Sequence, residues 1–435
     1  MTEQTMDKEA QLVQLAQLYR EEQSAWPELQ WSEAPLVVTY EDGEIYALGL
    51  KNRESVWKET IDGILVTSED LWNVRRERLH PFFPMGEEEA FVFRMNGPRA
   101  VKILAHERFH RFQMDHFEDG ANAGGYTQHL NVENVALMAL EEALLQEFVQ
   151  TDSIESIKEY VAIHRERVAL LDEESLDWEE MQQRLEGLAD YVAAKMTGEE
   201  KEVLSKINDE DLVENAMKWR HYGVGAALGL ALDALQVKGW KERVQRGDGL
   251  GKLLDEAVAL TKEQEAALSK KAKQRFKYKK KKKKVQGQIG AYQDTIQGID
   301  TEFAQEESPT LKIGNLTGVG ISGGGRSKAI YYLTDGSQVI VKDQSFSASM
   351  DGRWTFETKE PTTLYQRSQG YREVKALSDL EIVLDEQYLD QEIDCPREYP
   401  FRSLTLDSLA VNLEVQDAPG VLIHQGSEVE VRFFP

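Results

Sequence analysis

Apolar side chains in residues 7–22 fall at Leu12, Val13, Leu15, Ala16 and Leu18, a helical spacing that predicts an amphipathic helix at the start of the chain. From Pro35 to Met95 the pattern shortens into apolar runs separated by turn residues. LVVTY, then Glu41-Asp42-Gly43, then EIYALGL predicts a β-hairpin, and GILVTS and AFVFRM predict further strands. After Asn96-Gly97-Pro98 the period returns to helical, with Pro98 suited to a first turn, and a helix is expected over 98–119, ending near Asp119-Gly120. Residues 131–237 read as almost wholly helical, and another helical stretch runs from about 249 to 305. Beyond Ser308-Pro309 glycine, threonine, serine and β-branched residues take over. Turn signals recur at Asp335-Gly336, Asp351-Gly352 and Pro419-Gly420. The expected fold class is α+β: an N-terminal helix and small mixed sheet (1–97), a helical part (98–307) and a C-terminal β domain (308–435).

Composition narrows the chemistry. The chain has 435 residues, enough for two or three domains, and a formal net charge of −26, which disfavours nonspecific binding to nucleic acid or an anionic membrane. Its single cysteine, Cys395, excludes an internal disulfide and a cysteine metal cluster, so a metal site would need histidine and carboxylate ligands. The longest apolar candidate, Gly223 to Leu235, is short and broken by Asp233, so no membrane span is expected. The start, MTEQTMDKEAQ, has no signal-peptide pattern; the default expectation is the cytoplasm, with an exported mature form as the alternative.

His106-Glu107-Arg108-Phe109-His110 is an HExxH segment on the expected helix. Positions i and i+4 share a helix face, so both imidazoles can address one zinc ion at about 2.1 Å. Glu107, beside the first of them, can act as general base on water whose pKa the metal lowers toward about 7. A third ligand is needed. Glu186 and Asp190, again i and i+4, offer one carboxylate for the metal and one to accept a hydrogen bond from a ligand histidine. Glu141 and Glu142, in ALEEALL, are rival carboxylates that fit the solvated side of their helix equally well. His116 has the spacing of the third histidine in HExxHxxGxxH, but Gln113 stands where that pattern needs a helix-breaking glycine. On an unbroken helix His116 lies about 15 Å along the axis from His106.

HExxH followed by a downstream ExxxD on a second helix resembles the gluzincins, the thermolysin-like clan of zinc metallopeptidases, over roughly residues 88–235. The resemblance implies a zincin-like domain with Zn2+ held by His106, His110 and Glu186, Glu107 as general base and Asp190 behind a ligand histidine. The gap between the motifs exceeds that of thermolysin and implies two inserted helices. This clan often places a tyrosine or histidine opposite the developing oxyanion, which points to Tyr222 or His221 in Arg220-His221-Tyr222. Arg220 could instead pair with a surface acid. The clan also places an edge strand beside the zinc helix to pair with extended substrate, here expected at Phe91–Met95.

Three other segments are read as outside the site. Eleven of the fifteen residues from Lys270 to Lys284 are basic, a patch for an anionic partner or, favoured here, a solvated counterweight to the acidic body. The glycine-rich stretch 318–325 lacks a phosphate-loop ending and predicts a hairpin connection before the strand IYYLT; His424, in VLIHQG, is an ordinary strand position. The expected activity is zinc-dependent hydrolysis of a peptide or protein substrate. A non-catalytic zincin-fold binding protein and a zinc hydrolase acting on a non-peptide bond are the alternatives.

Overall fold

The N-terminal hairpin forms through four antiparallel pairs, from Leu36↔Leu48 to Thr39↔Ile45, joining β1 (Leu36–Thr39) to β2 (Ile45–Leu48). The structure is a computed structural model. It describes residues 8–303 apart from 21–24, 41, 52–56, 61–62, 68–73, 75–78, 86, 119–129, 206, 208–209 and 217–219, and beyond 309 the strands with a few flanking residues. β3 (Lys58–Glu59), β4 (Leu65–Thr67), β5 (Leu79–Met85) and β6 (Glu88–Arg94) complete a six-stranded sheet in the order β3-β4-β2-β1-β6-β5. It is mixed because β1 and β6 run parallel, Leu36 beside Phe91 through Thr39 beside Arg94. Val37, Ile45, Leu65, Ala90 and Val92 are buried in one cluster of this sheet, whereas Leu36, Val38, Phe91 and Phe93 join the main core, as period-two alternation requires.

Phe91–Met95 is therefore no edge: β6 lies between β1 and β5. The outer position belongs to β5, LHPFFPM, which the hydrophobic pattern did not predict. Pro81 and Pro84 interrupt its donors, and an edge strand tolerates that loss where an inner one does not.

Helix α1 (Lys8–Arg20) precedes the sheet, and α2 (Ala100–His116) follows it after a five-residue turn, 95–99. Leu104, Ala105 and Phe109 bury one stripe of α2 completely. Phe109 packs 5.1 Å from Trp26, whose ring also meets Trp240 edge-on at 5.5 Å. Leu104 and Phe109, taken from water, each contribute about 1.5–3 kcal/mol to holding α2 in place. Arg108, also buried, donates to the carbonyls of Trp31 (3.3 Å) and Ala34 (3.5 Å) and ties the segment before β1 to the same helix.

Two helices follow, α3 (Val132–Thr151) and α4 (Ile154–Val168), begun by the side chains of Asn131 and Ser153, each capping a backbone N–H three residues on. Next comes a continuous helical run: α5 (Glu173–Gln182), a π-helical turn (Gln183–Gly187) and α6 (Leu188–Thr197). Beyond it α7 (Arg220–Ala234) packs on that π turn and on α6. The helical part closes with α8 (Trp240–Gln245), α9 (Leu250–Val258), α10 (Lys262–Arg275) and α11 (Tyr278–Phe303). No described helix is long and apolar enough to cross a membrane.

The chain divides into two compact units, one of residues 1–124 and 129–289, the other of 125–128 and 290–435. The second contains the described strands from Thr310–Gly314 (β7) to Glu428–Phe433 (β21), in an eight-stranded and a seven-stranded sheet, so helix and sheet occur together in an α+β chain. β8 (Ile321–Gly323) and β9 (Ala329–Tyr332) fall in different sheets, so these two strands do not form the expected hairpin. His424 lies on β20 (Gly420–Gln425). Gly318, Gly320, Cys395 and the turns at 335–336, 351–352 and 419 lie outside the described residues, as do Asp119 and Gly120.

Candidate metal centre

The i, i+4 spacing on α2 brings His106 and His110 together, with their Nε2 atoms 2.9 Å apart. Glu186, on the π turn, points Oε2 at both, 3.3 Å from His106 Nε2 and 3.4 Å from His110 Nε2. Three ligand atoms thus form a nearly equilateral triangle with edges close to the roughly 3.3 Å of a tetrahedral site having bonds of about 2.0–2.1 Å. The donor set fits a divalent metal ion.

Hydrogen bonds behind the rings fix which lone pairs face the triangle. Asp190 Oδ1 can only accept, so His106 Nδ1–H donates to it at 2.8 Å and Nε2 is the atom turned toward the triangle. On the other ring, His110 Nδ1 lies 2.7 Å from Gln113 Oε1. The Gln113 amide nitrogen donates to the carbonyls of Arg184 (2.9 Å) and Leu185 (3.0 Å), so its oxygen must be the atom facing His110. Two imidazole lone pairs and a carboxylate oxygen in mutual contact repel one another unless a cation or proton lies among them. Burial opposes charge on His106, yet the hydrogen bonds and charges of Asp190 and Glu186 outweigh it and raise its pKa to about 9. Burial also disfavours ionised Glu186, but the two histidines hold it well below the ordinary carboxylate range. Such a field favours a cation.

Glycines place the next element. A Cβ on Gly225 would stand 2.5 Å from Gln183 O, and one on Gly187 would stand 2.5 Å from Gly225 Cα. Only with hydrogen at both positions can α7 lie against the π turn. That contact sets Tyr222 beside the triad: its ring stacks on His106 with centroids 6.1 Å apart, and its phenol hydrogen-bonds Glu186. Burial and then the negative charge of Glu186 push the phenol's pKa up, so it stays a hydrogen-bond donor.

The cleft over the triad has a volume of about 480 Å³. Glu107, Asp190 and Tyr222 line it with the triad, and Arg99, Lys102, Ile103, Glu202, Val203 and Ser205 form its walls. His221 does not line it. That ring is fully buried, meeting Trp178 edge-on at 4.8 Å.

The rival ligands lie elsewhere. His116 continues the unbroken α2, donating from Nδ1 to Phe112 O at 2.9 Å and stacking on Phe112. Glu141 and Glu142 are buried, not solvated. Glu141 accepts from Arg167 Nε at 2.8 Å, from His164 Nδ1 at 2.9 Å and from Arg220. Glu142 lies 3.1 Å from Arg220 Nη1, and Arg167 also grips Glu179 at 2.5 Å. Arg220 thus pairs with buried acids instead of surface ones. The Lys270–Lys284 run lies on α10 and α11, where Arg275 binds Glu147 and Glu159, Lys273 binds Glu166, and Lys282 binds Glu133. Much of it neutralises acids of α3 and α4.

The motifs alone singled out neither Gln113 as a partner of His110 nor Arg99 and Lys102 as cleft residues. The helical period held a signal for both. Gln113 lies three residues after His110, and Arg99 lies seven before His106, on the same face.

No family model matches the sequence, and neither the curated proteins nor the solved structures contain a match.

Proposed function

We propose that the chain is a zinc-dependent metallopeptidase of the gluzincin type, built on a zincin-like scaffold. The observation that carries this reading is the meeting of His106 Nε2, His110 Nε2 and Glu186 Oε2 within 3.4 Å, backed by Asp190 and Gln113. His106, His110 and Glu186 would hold Zn2+, which supplies Lewis acidity toward a carbonyl and a lowered pKa for water. Glu107, on the next position of α2, takes the proton of the attacking water on its carboxylate and returns it to the leaving nitrogen. Among the described residues no cation pairs with Glu107, so the carboxylate is available for that exchange. The Tyr222 hydroxyl gives its hydrogen bond to the developing oxyanion, a role His221 cannot share from its buried position. Asp190 and Gln113 keep both imidazoles in one tautomer.

β5, one of the two edge strands of the sheet, offers an edge for an extended substrate, though one with few free donors and acceptors. Pro81 and Pro84 lack N–H groups, and Arg111 Nη1 already donates to Pro81 O at 2.6 Å. With a 480 Å³ cleft this favours short peptides, and it keeps a small non-peptide substrate as the second reading.

Zinc stoichiometry by elemental mass spectrometry tests the site in the wild type and in Glu186→Ala. About one zinc per wild-type chain and marked loss in the variant is expected; none in either, after incubation with the metal, sinks the reading. Glu107→Gln separates enzyme from binding scaffold, since it should keep the zinc and lose hydrolysis. Esters cleaved while a broad peptide library is left intact would favour the non-peptide reading.

A further inference from the structure

Among the cleft's walls, Arg99 is set apart by its charge. It is the N-cap of α2, but its side chain makes no capping bond, and no described carboxylate pairs with it. Lys102, the other cation of the lining, is held by Glu199 at 2.8 Å. Four carboxylates share the cleft, those of Glu107, Glu186, Asp190 and Glu202, in a chain of net charge −26. A substrate anion would be repelled from most of this surface and drawn to one point of it. We infer that Arg99 anchors a carboxylate of the substrate, an assignment that rests on the proposed hydrolytic reading of the same cleft.

Helix geometry sets the distance. Arg99 precedes His106 by seven residues, roughly 10 Å along the axis and on the same face. An extended peptide covers about 3.3 Å per residue. Allowing for the reach of the arginine side chain, the carboxylate lies roughly one to three residues from the bond that is cut. Ile103, one turn from Arg99, lines the stretch between them and is 45 % exposed, a large apolar side chain left facing the cleft. The substrate thus has an apolar residue between its carboxylate and the scissile bond. The carboxylate comes from a free C-terminus or from an acidic side chain, and a planar guanidinium receives either in the same paired fashion.

The test uses N-acetylated Ala/Leu hexapeptides with the metal-loaded full chain. One series ends in a free carboxylate, a second in an amide, and a third in an amide with one internal Glu or Gln. Calorimetric affinity is read beside cleavage for the wild type, Arg99→Gln and Arg99→Lys. Expected is roughly tenfold tighter binding of the carboxylate-bearing peptide over its neutral partner, abolished in Arg99→Gln and partly kept in Arg99→Lys. Preference for the free terminus identifies the C-terminal source; preference for internal Glu over Gln identifies the side chain. Equal affinity for charged and neutral peptides, or a preference that survives in Arg99→Gln, overturns the assignment. The hydrolytic reading fails separately: carboxylate-selective binding lost in Arg99→Gln, with no peptide cleaved, would keep Arg99 as an anchor and remove the peptidase.

Discussion

Gln113 and His110 are joined by a 2.7 Å hydrogen bond whose polarity is set by carbonyls 71 and 72 residues further along the chain. The Gln113 amide nitrogen is committed to the carbonyls of Arg184 and Leu185, the two residues before Glu186. One side chain thus orients a histidine of α2 and locks α2 to the turn that carries the third proposed ligand. Gln113→Leu removes both functions at similar volume. Metal affinity should fall about 10- to 100-fold, the usual cost of losing a partner behind a ligand histidine. Competition with a chromogenic chelator measures it; unchanged affinity would show that the bond is incidental.

The sequence reveals this site unevenly, because some of its geometry is local and some is not. His106 with His110, and Glu186 with Asp190, are each one helical turn apart, so their shared faces can be read directly from spacing. The role of Gln113 depends on carbonyls 71 and 72 residues away, exposed by a π turn that no local pattern announces. Glu141 and Glu142 look like a solvated pair because acids usually are. Arginines 26 and 79 residues further on meet Glu141 inside the protein. Strand β6 showed itself through AFVFRM, whereas β5 did not, since prolines are a signal against strand except at an edge.

The contact between Gly187 and Gly225 gives a packing test. A methyl group at 225 would have to displace backbone, Gln183 O at 2.5 Å and Gly187 Cα at 2.8 Å. Gly225→Ala should therefore lower stability by about 1–3 kcal/mol and shift Tyr222 off the triad, which on the proposed hydrolytic reading reduces turnover more than metal content. Gly287→Ala, on α11 with nothing within 4 Å of its added methyl, should instead raise stability by about 0.5–1 kcal/mol. Thermal unfolding of the two variants in parallel should move in opposite directions.

Glu141 accepts from Arg167, Arg220 and His164 where no water reaches, and its arginine partners hold it well below the usual carboxylate range despite burial. Glu141→Gln leaves two buried guanidiniums short of a counter-charge and should cost about 3–5 kcal/mol. Lys201→Gln, which breaks an exposed pair with Asp152, should cost no more than about 1 kcal/mol. Comparable denaturation midpoints for the two variants would mean that the buried network contributes no more than a surface pair.

His221 contributes an acid-sensitive part of the stability, opposed in the same pH range by Glu142, whose carboxyl burial pushes up to about 7. Burial, helped by the positive charges of Arg220 and Arg167 and opposed by Glu179 and a backbone bond at Ala216, lowers the pKa of His221 from an ordinary 6.5 to about 4. The folded chain therefore refuses a proton that the unfolded chain accepts below about pH 6.5. Stability is fully present above that pH and drains away as pH falls toward 4, by roughly 3 kcal/mol from this one group. His221→Gln should flatten that part of the stability curve, measured by urea unfolding at half-unit steps. Since a buried substitution also perturbs packing against Trp178, the imidazole should be followed in the wild type by NMR. A ring still neutral at pH 5 supports the assignment, and one that titrates near 6.5 removes His221 as a source of acid sensitivity.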